Sequence, residues 1–142
     1  MATLVQQRIV PMKAYENGPA AMDWLVNAFG FTERTRWVDD SGRLTHGELE
    51  IGGAVVMLAM PSTHYQGPKK HRESCAAAAA WHDVPWVIDG LLVYVDDIRS
   101  HFERAREAGA TILSEPETTE FGTRYRAEDL EGHRWMFVQS SP

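Results

Sequence analysis

The chain states one pattern twice. Arg8 to Met60 and Val87 to Gln139 each read as a strand, a helix and a run of three strands. The helix-ending glycines Gly30 and Gly109 stand 79 residues apart, and so do Met57 and Met136 in the last strand of each pass. One offset held across a whole unit marks an internal repeat, which restricts the fold to two copies of one module. Two copies of a curved sheet can face each other and enclose a cavity, where a function would sit.

The local signals agree with this division. In the first module Arg8 to Tyr15 reads as strand, and Asn17-Gly18-Pro19 opens a helix with Asn17 as its N-cap. Met22, Leu25, Val26 and Phe29 recur at helical spacing and make one apolar stripe, which Gly30 ends. Phe31 to Asp39, Arg43 to Ile51 and Ala54 to Met60 follow as strands, separated by Asp40-Ser41-Gly42 and Gly52-Gly53 turns. In the second module Val87 to Val95 is strand, Asp96-Asp97 caps a helix with the stripe Ile98, Phe102, Ala105 and Ala108, and Gly109 ends it. Thr111 to Ser114 reads as a short strand; Thr123 to Glu128 and Arg134 to Gln139 form a hairpin around Asp129-Leu130-Glu131-Gly132. There Asp129 is expected to bond turn amides and His133 to steady the turn. Pro61 to Trp86 lies between the modules as a linker or a lid loop. It holds Tyr65, Trp81, Trp86, three histidines (His64, His71, His82) and the run Ala76 to Ala80, which suits a helical turn or two.

Composition narrows the function classes. A length of 142 residues favours a single domain spanning residues 1–142. The net charge of −6 argues against a nucleic-acid partner, which needs a basic face, and is compatible with a cationic small ligand. No apolar stretch approaches the roughly 20 residues of a membrane span. Met1-Ala2-Thr3-Leu4 lacks the regions of a signal peptide, and the single cysteine, Cys75, cannot form an internal disulfide. The expectation is a cytoplasmic protein with no membrane partner.

Three stretches carry a family resemblance: Val93-Tyr94-Val95-Asp96-Asp97 before the second helix, Ala108-Gly109-Ala110 after it, and Asp129-Leu130-Glu131-Gly132-His133-Arg134-Trp135 near the end. With the doubled β-α-β-β-β pattern they resemble the vicinal oxygen chelate superfamily, the group of glyoxalase I, bleomycin-resistance proteins and extradiol dioxygenases. Asp-x-x-Gly-His-x-Trp and Phe121-Gly122-x-Arg124 are most similar to the bleomycin-resistance branch. The resemblance implies an α+β fold in which two βαβββ modules form curved mixed sheets around a cavity, helices on the outside. It also implies a homodimer, with the modules paired within one chain or exchanged between two. The scaffold hosts binding, isomerisation and ring cleavage alike, so activity must be argued from the site.

Metal-dependent relatives take His, Glu or Gln ligands from the first and last strand of each module. Carried over strand by strand, those positions are Val10, Met57, Gly90 and Met136. None supplies the nitrogen or carboxylate oxygen that such a metal ion takes. The expectation is therefore no metal and no cofactor.

Strand alternation indicates what stands there instead. Val55 and Ala59 share a face with Met57, and Arg134 and Val138 share one with Met136. If Leu49 and Ile51 point to the core, His46, Glu48 and Glu50 point to the cavity. Tyr94 and Trp37 join them from the fifth and second strands. The candidate ligand-binding set is Trp37, His46, Glu48, Met57, Tyr94, Arg134 and Met136: apolar walls with a few convergent polar groups. Three functions fit. A metal-free protein could sequester an aromatic or cationic compound such as an antibiotic. A glyoxalase-like lyase or isomerase could use His46 or Glu48 as a general base. A divergent metal enzyme could draw ligands from His46, Glu48 and the middle histidines.

Overall fold

A computed structural model describes residues 7–86 and 89–140; Val87, the expected start of the second module, and the amino-terminal Met1 to Leu4 lie outside them. The first module contains β1 (Met12–Ala14), α1 (Gly18–Phe29), β2 (Thr32–Val38), β3 (Leu44–Ile51) and β4 (Ala54–Ala59). Two short helices follow, α2 (Pro68–Ser74) and α3 (Ala76–Trp81). The second module contains β5 (Leu91–Tyr94), α4 (Ile98–Glu107), β6 (Thr111–Thr119), β7 (Gly122–Glu128) and β8 (Arg134–Gln139). The sheets have the same strand order, β1-β4-β3-β2 and β5-β8-β7-β6, with a parallel first pair and antiparallel others. The α+β doubled architecture is as expected.

Local chemistry explains the element ends. The Asn17 side chain accepts from the Ala20 amide at 3.1 Å, and Gly30 closes α1 at φ 79°, a left-handed value that favours glycine. Asp97 caps α4 in the same way, through the Ser100 amide. The β2–β3 turn is held by Asp39, whose Oδ1 accepts from the Ser41 and Arg43 amides.

Met22, Leu25, Ala28 and Phe29 of α1 are fully buried against Leu49, Val56 and Leu58 of the first sheet. Phe102 and Ala105 of α4 pack with Tyr125, Ala127, Trp135 and Phe137 of the second. Each helix thus covers the convex side of its own sheet. The modules meet there: α1 lies against α4, and the Phe29 ring touches those of Phe137 and Trp135 at centroid distances of 4.8 and 5.7 Å. Among the described residues no strand of one sheet pairs with the other. The expectation of sheets enclosing a cavity is corrected in one respect: within one chain they do not close, because the shared core lies on their helix-covered sides.

His101 of α4 is buried in that core. Its Nε2 lies 2.8 Å from the Phe29 carbonyl, which only N–H can satisfy, so Nδ1 accepts from the Tyr125 hydroxyl at 2.6 Å. Burial, aided by the Arg104 charge, lowers its pKa; the Phe29 bond opposes but does not reverse this. At pH values above the ordinary value of about 6.5 the ring is neutral folded or unfolded and contributes nothing to pH dependence. Below about 6.5 the unfolded chain takes up a proton that the folded chain refuses, so stability falls, by at most about 1.4 kcal/mol per pH unit for this group. His133, lowered chiefly by burial, acts in the same direction. We expect the urea midpoint to fall between pH 7 and pH 5 and His101→Gln to flatten that fall; an unchanged slope in the variant would count against this account.

Candidate functional site

The concave face of the first sheet carries Trp37, His46, Glu48 and Met57, because Leu49, Val56 and Leu58 of the same strands are committed to the core. Cross-strand pairing sets Glu48 beside Met57 and Trp37 beside His46. The Trp37 and His46 rings lie 5.1 Å apart, and His46 Nε2 is 3.8 Å from Glu48 Oε1. Met57 and His46 line a hollow of about 200 Å³ with Met12, Ala59 and Pro61. Trp37 is 63% exposed and Met12 81% exposed, high values for large apolar side chains.

The second concave face carries Tyr94, Arg134 and Met136, opposite the buried Trp135 and Phe137. Leu92 pairs with Met136 and Tyr94 with Val138. Tyr94, 65% exposed, also lines a cavity of about 250 Å³ at the seam between the modules, with Pro11, Val55, Leu92 and Trp135. The seven expected residues are thus divided between two open faces, four on one and three on the other.

Arg134 differs from the expectation of a free polar group. It is 4% exposed, and each of its three nitrogens donates within the chain. Nε donates to Glu128 at 3.0 Å; Nη1 donates to the carbonyls of Val84 and Trp86, and Nη2 to that of His82. Arg72 of α2 adds a bidentate pair to the same carboxylate at 2.7 and 2.9 Å. Burial pushes the Glu128 carboxyl up, but the bonds from Arg72 and Arg134 outweigh it and leave the pKa below the ordinary range. Together these contacts bind the segment between the modules to the end of the second sheet. Beneath it, His71, His82, His133, Tyr65 and Trp81 line a hollow of about 290 Å³, on a different sheet from His46 and Glu48.

Two residues of this face were not among the expected site residues, although Arg124 stood in the Phe121-Gly122-x-Arg124 motif. Tyr125 and Ala127 point into the core, so Arg124 and Arg126 point the other way, Arg126 beside Met136 and Arg124 beside Val138. Alternation along β7 is the signal that finds them.

The positions where metal-dependent relatives would hold ligands keep their chemistry in three dimensions. Met12 rather than Val10 lies in register with Met57, and Leu92 rather than Gly90 with Met136, so the first strands add no nitrogen or carboxylate donor; the carboxylate beside Met57 is that of Glu48, from β3. Among the described residues no three His, Cys, Asp or Glu side chains are grouped to hold a metal ion. No helix among them is long and apolar enough to cross a membrane.

Comparison with known proteins agrees with the fold. The uncharacterized protein Rv0887c of Mycobacterium tuberculosis is 30% identical over 140 residues, 98% of this chain and 78% of that protein. The crystal structure of TioX from Micromonospora sp. ML1 is similar at a TM-score of 0.67 and 31% identity, covering 96% of this chain and 98% of that one. TnmS3 from Streptomyces sp. CB03234, described as an antibiotic binding protein, shares the fold at a TM-score of 0.63 and 18% identity, covering 99% of this chain and 100% of that one. Residues 13–137 match the family model of the Glyoxalase/Bleomycin resistance protein/Dioxygenase superfamily, and the chain belongs to that superfamily.

Proposed function

We propose that this protein is a metal-free binder that sequesters a small aromatic compound, in a cavity completed when the first sheet of one copy meets the second sheet of another. One observation carries the reading: both concave faces are open, with large apolar side chains exposed and with methionines at the last-strand positions where metal-binding relatives place ligands. Exposed rings and thioethers are costly in water and adapt well to a planar ligand. The description of TnmS3 as an antibiotic binding protein supports the same class for this chain. A homodimer follows from this reading, because a single copy leaves both faces uncovered. Cys75, with no cysteine partner, suits a reducing cytoplasm.

The test is titration of the purified protein with tricyclic aromatic probes, followed by tryptophan fluorescence, with sedimentation to give the oligomeric state. We expect saturable binding by a dimer, recovery of the probe unchanged, and a loss of about tenfold or more in affinity in Trp37→Ala, since a buried aromatic contact is worth about 1–3 kcal/mol. Conversion of the probe, or a near-stoichiometric divalent ion that survives dialysis, would overturn the proposal. The contact between His46 and Glu48 beside the Met57 hollow favours a second reading, a lyase or isomerase with one of them as general base. Product analysis in the same titration separates the two.

A further inference from the structure

We infer that the sequestered compound carries a carboxylate on its ring system, gripped by Arg124 and Arg126 of the second concave face. This rests on the sequestration reading and adds the charge of the ligand to it.

The chain treats its arginines on this face in two ways. Arg72 and Arg134 converge on Glu128 and are neutralised. Arg126 and Arg124, two and four residues before Glu128 in the same strand, have no such close carboxylate. Among the described residues Arg124 pairs with one carboxylate, Glu117, in a long ion pair at 3.5 Å, the limit of a hydrogen bond, and Arg126 with none. The Nε atoms of both side chains are shielded from solvent and have no hydrogen-bond partner among the described residues. Two like charges share one strand face, and each disfavours the other. Burial and the Arg124 charge together lower the Arg126 pKa, against a smaller opposing effect of Glu117.

An anion would relieve all of this at once. A guanidinium presents parallel N–H groups that match the two oxygens of a carboxylate. Met136 lies directly across from Arg126, and Leu92 across from Met136, so an apolar wall runs beside the charges. That juxtaposition suits an aromatic acid, ring on the wall and carboxylate on the forks. The overall charge of −6 points the other way, toward a cationic ligand, but the field within a concave face is set by its own residues. In the first module the position paired with Met57 holds Glu48, with His46 two residues before it, so the arginine pair belongs to the second face only.

Three probes of one shape decide the matter: anthracene-9-carboxylate, 9-anthracenemethanol and 9-(aminomethyl)anthracene, titrated at low salt and pH 7.5. The carboxylate is expected to bind at least about tenfold more tightly than the alcohol, with the amine weakest. Arg124→Gln/Arg126→Gln is expected to shrink that preference to about twofold or less, and Arg126→Lys, which keeps charge but loses the fork, to reduce it in part. If the alcohol or amine binds as tightly as the carboxylate, the charge inference falls while sequestration stands; if no probe binds, both fall. The ranking in the unaltered protein needs no variant to fold. A switch from dimer to monomer in the double variant would also overturn the inference, by assigning the arginines to carboxylates of the second copy.

Discussion

Asp129→Ala is expected to lower the free energy of unfolding by about 3–5 kcal/mol, read as a fall in the urea midpoint. The Asp129 carboxylate is buried and serves four donors. Oδ2 accepts from the Tyr15 hydroxyl at 2.6 Å and Trp135 Nε1 at 3.0 Å; Oδ1 accepts from the amides of Glu131 and His133. Alanine leaves the phenol and indole N–H buried with no partner, at about 1–3 kcal/mol each. The Tyr15 phenol stays a donor at any ordinary pH, since burial and Asp129 both push its pKa well up. Tyr15 follows β1 of the first module and Asp129 follows β7 of the second, so the cluster also rivets the modules together. Glu131 reinforces it by accepting from the Glu16 and Asn17 amides, and His133 Nε2 bonds the Ala14 carbonyl. Tyr15→Phe removes one donor and leaves the carboxylate three others, so a loss of about 1 kcal/mol is expected. Equal effects from the two substitutions would refute this ranking.

Removing the Glu128 carboxylate acts on a different part of the molecule. Glu128→Ala is expected to cost about 3–5 kcal/mol, because it strands the guanidiniums of Arg72 and Arg134 without a counter-charge, the latter deeply buried. Arg134 also holds the carbonyls of His82, Val84 and Trp86, so its displacement frees the segment between the modules. Limited trypsin digestion reads this directly: cleavage near Lys69, Lys70 and Arg72 is expected to speed up about tenfold or more, while the modules themselves resist. Arg72→Met is the milder control. It leaves Glu128 paired with Arg134, and about 1–2 kcal/mol is expected. Unchanged digestion in Glu128→Ala would show that the segment is held by something else.

The doubled architecture was legible because its signals are periodic. Apolar stripes at helical spacing, the Asn17 cap and the Gly30 stop each act within a few residues, and the two modules repeat them. What was not legible depended on partners distant in sequence. The strand expected from Arg8 to Tyr15 shrinks to Met12–Ala14, where it pairs with β4. The strand expected to end at Ser114 runs to Thr119, because irregular register between Ile112 and Glu117 hides its alternation. The middle segment, expected as a linker or lid, carries two helices of seven and six residues, too short to show a period; the alanine run does supply the second. On the site, alternation in β3, β4 and β8 placed His46, Glu48, Met57 and Met136 on the faces where they stand. It could not show that Arg134 is consumed by three backbone carbonyls, since a carbonyl leaves no mark in a sequence. Asp129 does bond turn amides as expected; its bonds to Tyr15 and Trp135 required the fold.

The two halves have kept a common core side and parted company on the other. Where the first offers imidazole and carboxylate, the second offers a pair of guanidiniums, at corresponding points of corresponding strands. A slot lined by one such surface from each half has a positive end wall and a negative one. Under the proposed sequestration a guest lying in it would be held head to tail, in a single sense. Duplicating either half to replace the other would therefore preserve the scaffold while erasing its polarity.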